Sequence, residues 1–205
     1  IEPVYDIIDV QNVSHSYWTN SILSHNCEFI QEDETLVAPL CLARLEGKEP
    51  LEVMGNIRWY GRPEANKTYL IALDPSMGTG GDYAAIQVYQ LPEMIQLAEW
   101  KHHKTPARGQ VQVLQTILKF IDVTMRNDPR QASEPEIYWT FENNGCGDSV
   151  LTIINDTGED NFPGTLMNEP KRGIGLRRKG LITSNKSKIT SASRLKSLIE
   201  TDRLI

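Results

Sequence analysis

The sequence predicts an α/β fold in which a mixed sheet carries flanking helices. Three observations carry that expectation: three consecutive strand-like runs between residues 68 and 100, an amphipathic stretch over 109–126, and a fourth apolar run followed by a second helical pattern. Thr68-Tyr69-Leu70-Ile71-Ala72-Leu73 is an apolar, β-prone strand ending at Asp74. A glycine-rich turn from Pro75 to Gly81 leads through Asp82 into a second strand, Tyr83 to Tyr89. Pro92 ends that strand, and Ile95 to Trp100 makes a third, so the three read as an antiparallel meander. Val113, Leu114, Ile117, Leu118, Ile121 and Met125 fall at helical spacing within 109–126, which gives a helix with one face on the sheet, closed by Asp128-Pro129. Glu136 to Phe141 is the fourth strand, ending at Glu142, and after Asn143-Asn144-Gly145 a helix is expected from about Gly147 to Ile154.

The order β-β-β-α-β-α is the opening of an RNase H-like fold. Residues 27–67, with Pro39, Pro50, Pro63 and several glycines, read as a connecting segment with short strands. The RNase H-like unit is therefore placed at 68–205 and the connecting segment at 27–67, with residues 1–26 as a separate segment.

Composition is that of an ordinary globular protein. No apolar run approaches membrane-spanning length and no signal peptide is visible, so a soluble intracellular protein without a membrane partner is expected. Cys27, Cys41 and Cys146 make no Cys-x-x-Cys pair and no even framework, which points to a reducing compartment. The net charge of −6 hides a strong polarity. Residues 171–205 hold ten Lys or Arg against Glu200 and Asp202, a net of +8, while residues 1–170 carry a net of −14. That division suits an acidic, metal-collecting region beside a basic one that grips a phosphate backbone. Lys186, Lys188, Arg177, Arg178 and Lys179 are the candidate DNA contacts; the plainer reading is a solvated helix face with a basic loop.

The chemistry follows from where the acids fall. Asp74 ends the first strand and Glu142 ends the fourth, and in this topology those strand ends are neighbours. Two converging carboxylates make a hard oxygen site of the kind Mg²⁺ or Mn²⁺ prefers, and a pair of such ions can activate water and stabilise a leaving 3′ oxygen. Asp82, across the glycine-rich hairpin, can fold back toward the same ions. Each acid taken alone is more often a strand cap or a turn residue.

Leu73-Asp74-Pro75-Ser76-Met77-Gly78-Thr79-Gly80-Gly81-Asp82-Tyr83-Ala84-Ala85-Ile86 and Phe141-Glu142-Asn143-Asn144-Gly145 resemble the nuclease domain of tailed-phage terminase large subunits. Cys27-Glu28-Phe29 resembles the stretch after that family's ATPase core, and Thr183 to Glu200 a later loop and helix. The resemblance implies a metal-dependent endonuclease cutting concatemeric double-stranded DNA in a viral packaging motor of the host cytoplasm. It implies metal ligation by Asp74 and Glu142 through a two-metal Mg²⁺ or Mn²⁺ site, with Asp82 as an auxiliary acid. Its implied partners are DNA, an ATPase domain, the portal and the small terminase subunit. The family's third catalytic Asp is expected beyond Ile205 and its Walker motifs before this chain, so the fragment is expected to cut poorly. Two other readings stand beside it. Asp74 with Gly78-Thr79-Gly80 between two strands also resembles the phosphate hairpin of actin-like and sugar-kinase ATPases, and a non-catalytic DNA- or portal-docking module would need only the basic tail.

Residues 1–27 have a different character. A strand-like run, Val4 to Val10, carries Asp6; His15 follows; Asn20-Ser21 signals a turn; and Ile22-Leu23-Ser24-His25-Asn26-Cys27 ends the segment. The succession resembles the C-terminal blocks of an intein, and a short β-hairpin from that segment is expected ahead of the main fold. The resemblance implies Asn26 as the cyclising residue, His25 as its helper, Asp6 and His15 as the earlier catalytic groups, and Cys27 as the nucleophile that opens the host protein. His-Asn-Cys alone also occurs by chance. No N-terminal intein block is present in this chain, so a complementary N-terminal intein segment is the expected partner.

Overall fold

The computed structural model describes residues 16–19, 22–25, 36–42, 44, 47–169 and 178–204. Strands β1 (Ser16–Thr19) and β2 (Ile22–His25) form an antiparallel hairpin of their own. A single turn of helix, α1 (Pro39–Leu42), follows. The main body is a seven-stranded mixed sheet. Its strands are β3 (Glu52–Met54), β4 (Ile57–Trp59), β5 (Thr68–Asp74), β6 (Ala84–Leu91), β7 (Ile95–His102), β8 (Glu136–Phe141) and β9 (Thr165–Leu166), in the order β3-β4-β7-β6-β5-β8-β9.

The meander expected from residues 68–100 is present, with β5 and β7 both antiparallel to β6. Strands β6 and β7 run two residues further than the apolar runs marked, to Leu91 and His102, because ladder hydrogen bonds do not depend on side-chain polarity. The short strands of the connecting segment do not stand apart from the sheet. The β3–β4 hairpin pairs with β7 and sends Ile57 and Trp59 into the common core.

Helix α2 (Ala107–Arg126) begins two residues before the first glycine-led estimate. Pro106 is its N-cap, with φ already fixed near the value a helix start needs and no N–H to lose. Val111, Leu114, Ile117, Leu118, Ile121 and Met125 form its buried face against Tyr69, Ile71, Leu73, Ile86 and Val88. Each such side chain removed from water contributes on the order of 1.5–3 kcal/mol before entropy is counted. Helix α3 (Gly147–Thr157) packs beside α2 through Val150 and Ile154 and runs one turn past the estimate, to a stop at Gly158 with φ +86°. These two helices cover one face of the sheet. On the other, Ala72 is exposed, and Ala85, Gln87 and Tyr89 are only half-buried.

After β9 the chain returns along the end of β8. Leu181 donates its N–H to Phe141 O (2.9 Å) and accepts from Asn143 N–H (2.7 Å). Helix α4 (Asn185–Glu200) then starts on a reciprocal capping box: Ser187 N–H donates to Ser184 Oγ (3.2 Å) and Ser184 N–H to Ser187 Oγ (2.7 Å). Among the described residues no helix is long and apolar enough to cross a membrane.

Candidate metal and nuclease site

Parallel pairing of β5 with β8 creates the site. Leu73 pairs with Phe141, and Glu142 N–H donates to Leu73 O (2.9 Å), so the next residues, Asp74 and Glu142, leave the sheet side by side. Alternation assigns both side chains to the open face, because Leu73 and Phe141 point into the core. Sixty-odd residues of intervening chain thus deliver two carboxylates to one point.

Asp74 as a whole is exposed, yet the strand ends still desolvate its carboxyl group. That desolvation is the largest cause raising its pKa above the ordinary carboxylate value. A hydrogen bond shared with Glu142 and the charge of Glu142 add to it, while Lys188 pulls it down. Helix α4 therefore brings a cation toward Asp74 from its first turn.

Glu142 is held from outside. Asn144 Nδ2 donates to Glu142 Oε1 (3.1 Å) and to Thr183 O (2.7 Å), tying the carboxylate to the returning chain. Gly147 leaves no room for a side chain, since a Cβ there would stand 2.3 Å from Glu142 O. Asn143 Nδ2 donates to Lys179 O (2.9 Å) and locks the same two segments together. Neither Asn144 nor Gly147 is among the site residues expected from sequence. The local signal is Asn143-Asn144 following directly on a strand-ending acid, with Gly147 two residues past the Gly145 of that turn. Asn144→Ala is expected to lower divalent-metal affinity by roughly 10–100-fold, the range for loss of a ligand-orienting partner. Calorimetric titration with Mn²⁺ checks it, and unchanged affinity would show that Asn144 does not position Glu142.

The turn 75–83 is fixed from below by Gln110, which is fully buried at the start of α2. Its Oε1 accepts from Ser76 N–H (3.3 Å), and its Nε2 donates to Ser76 O (2.8 Å) and Thr105 O (2.7 Å). Gly78, at φ +69°, lies against Thr105, where a Cβ would stand 2.3 Å from the carbonyl oxygen. Asp82 is exposed near the end of this turn, two residues before β6 and at the same end of the sheet as Asp74.

Among the candidate DNA contacts, Lys186 and Lys188 stand exposed at the start of α4. Lys179 is engaged, with Nζ 2.7 Å from Glu159 Oε2 and 3.1 Å from Asn155 Oδ1. Arg178 is exposed. Arg177, Asp6, His15, Asn26 and Cys27 lie outside the described residues, and His25 closes β2.

A carboxylate whose proton affinity is raised by burial and by the acid beside it fits a hard divalent cation, which offsets both costs. Mg²⁺ is commonly held by one or two carboxylates with waters and substrate phosphates completing the shell. Among the described residues no group of three His, Cys, Asp or Glu stands close enough to hold a metal ion.

No family model and no curated protein sequence matches the chain. Solved structures do. The large terminase nuclease from thermophilic phage G20c with bound magnesium superposes with a TM-score of 0.53 at 17% identity, covering 76% of this chain and 66% of that one. The chain has the fold of a phage large-terminase nuclease domain. The zinc-bound form of the G20c nuclease gives 0.51 at 16% identity, covering 76% and 72%, and the Thermus phage P74-26 large terminase nuclease domain gives 0.50 at 15%, covering 76% and 64%. The chain spans about two thirds of the length of the magnesium-bound G20c structure.

Proposed function

We propose that this chain is the nuclease part of a viral DNA-packaging terminase large subunit, hydrolysing phosphodiester bonds of concatemeric double-stranded DNA with Mg²⁺ or Mn²⁺. The observation that carries the reading is the meeting of Asp74 and Glu142 at adjacent parallel strand ends within this fold. Those two carboxylates would hold the metal. A bound divalent ion supplies water activation and stabilisation of the leaving 3′ oxygen. Asn144 holds Glu142 in place, Gln110 holds the turn that follows Asp74, and Asp82 is the auxiliary acid of the same sheet end. A two-metal set would need a further carboxylate besides these two. The ATPase domain, portal and small subunit, and a host-cytoplasm setting, belong to the same proposal.

Plasmid cleavage with Mn²⁺, measured beside calorimetry with Mn²⁺ and with ATP, tests it. Cleavage and metal binding that both need Asp74 support the nuclease. ATP binding without metal-dependent cutting would instead support the phosphate-hairpin reading, and metal-insensitive DNA binding alone a docking module. Lys186 and Lys188 are proposed to grip phosphates. Neutralising both should make duplex binding less salt-dependent, by roughly one unit of log–log slope per lost contact. A slope equal to that of the unaltered chain would remove them from the interface.

For residues 1–26 the proposal is an intein C-terminal segment. Mixing with a matching N-terminal intein piece should release a product beginning at Cys27, and Asn26→Ala should stop the release. Intact-mass spectrometry showing equal release from that variant would refute cyclisation at Asn26.

A further inference from the structure

The open sheet face continues past the carboxylate pair into a groove of about 580 Å³ that the proposed chemistry does not use. Arg58, Tyr83, Glu99, Lys101 and His102 line it. Along its edge the rings form a ladder. Tyr83 and His103 have centroids 5.0 Å apart, His103 and His102 are 5.4 Å apart, and His102 rests 6.3 Å from the buried Trp100. Lys101 Nζ stands 4.3 Å from the Tyr83 ring centroid. Tyr83 is 51% exposed, so about half of a large aromatic side chain is left to solvent beside a cation.

The ladder is rigidly mounted. Gly80 N–H donates to His103 O (2.9 Å), which fastens the 75–83 turn to the end of β7. Lys104 N–H donates to His102 Nδ1 (3.3 Å), and Thr105 Oγ1 lies 2.6 Å from the same nitrogen. With Nδ1 accepting, the other ring nitrogen of His102 carries the proton and is a donor. The acid in the groove is already neutralised: Glu99 Oε1 is 3.2 Å from Arg58 Nη1 and accepts from Tyr60 OH (2.8 Å).

Position links this ladder to the carboxylates. Asp74 pairs with Ala85, and Tyr83 lies two residues back along the same strand direction. One strand spacing and two residues of rise put the Tyr83 backbone about 8 Å from that of Asp74, on the order of two base steps at ~3.4 Å each. Exposed rings interleaved with cations bind bases whose faces are free, and a paired duplex hides those faces in its own stack.

We infer that Tyr83, His103, His102 and Lys101 form a subsite for one or two unpaired nucleotides flanking the phosphodiester held at Asp74 and Glu142. The inference rests on the nuclease reading for its purpose, though not for its measurement. The preferred substrate is then DNA with local strand opening at the cut rather than continuous duplex.

The test uses the full chain and a fluorescent oligothymidylate in EDTA, so that binding is read without metal, with a duplex of equal length as control. Binding of the single strand should exceed that of the duplex, and Tyr83→Leu should weaken it roughly tenfold, within the range for loss of one base–aromatic stack. Tyr83→Phe should restore it, and Lys101→Gln should weaken it and lower its salt dependence. Circular dichroism verifies that the variants are folded. Equal single-strand affinity in Tyr83→Leu, or tighter binding of the duplex, would overturn the subsite. Metal-dependent cutting with Tyr83-independent binding removes the subsite and leaves the nuclease standing. Tyr83-dependent binding in a chain that binds no Mn²⁺ through Asp74 supports the subsite and removes the nuclease.

Discussion

Replacing Asp74 with Asn is expected to abolish metal-dependent cutting and, without metal, to make the protein more stable at neutral pH. The loss of metal affinity should exceed the roughly 10–100-fold that removal of an orienting partner costs, because a ligand itself is gone. The stability arm follows from the raised pKa. Desolvation comes first, then the hydrogen bond and the charge of Glu142, and together they favour the protonated form of Asp74 in the folded state. A group raised in this way contributes stability that is fully present below its unfolded pKa and is lost as pH rises through its folded pKa. At neutral pH the ionised pair is therefore a destabilising element that Asn removes, and at acidic pH the advantage of Asn should shrink. Mn²⁺ reverses the order: at about 100 times its dissociation constant it adds ~2.7 kcal/mol to the unaltered chain and nothing to the variant. Thermal midpoints with EDTA and with Mn²⁺, at neutral and acidic pH, report all four cases. A variant stabilised by Mn²⁺ as strongly as the original would separate Asp74 from any metal.

Such a pairing was legible in the sequence because two strong local signals coincide with one topological rule. Apolar strands that end in an acid are readable from composition, and the order β-β-β-α-β makes the first and fourth strands neighbours. Elements set by periodicity, such as β5, β8 and the core face of α2, were equally plain. What escaped reading depended on contacts distant in sequence. The β3–β4 hairpin carries only three residues per strand, too few for a pattern, and is fixed by pairing with β7 some forty residues on. The second grip on Glu142 comes from Thr183 O through Asn144, which no local pattern reveals. The ring ladder likewise needs the 75–83 turn folded onto β7 before Tyr83 meets His103.

Gln110 is conspicuous in the sequence itself. It lies four residues before Leu114 and seven before Ile117, on the apolar stripe of α2, where a polar residue stands out. A buried amide at such a place must be satisfied, and here the two backbone groups of Ser76 and the carbonyl of Thr105 satisfy it. Gln110→Leu keeps the volume and removes every one of those partners. Each stranded backbone group costs roughly 1–3 kcal/mol when it stays dry, so a loss of several kcal/mol is expected if the turn holds its place. The alternative is that the turn moves outward to water. In that case the stability loss is smaller and the damage appears at the site, because Ser76 is two residues from Asp74 and Tyr83 follows at the turn's other end. Urea unfolding combined with Mn²⁺ titration separates the two, and both outcomes make the stapled turn a determinant of the carboxylate geometry. A variant with unchanged midpoint and unchanged Mn²⁺ affinity would show that the strand ends alone hold Asp74 in place.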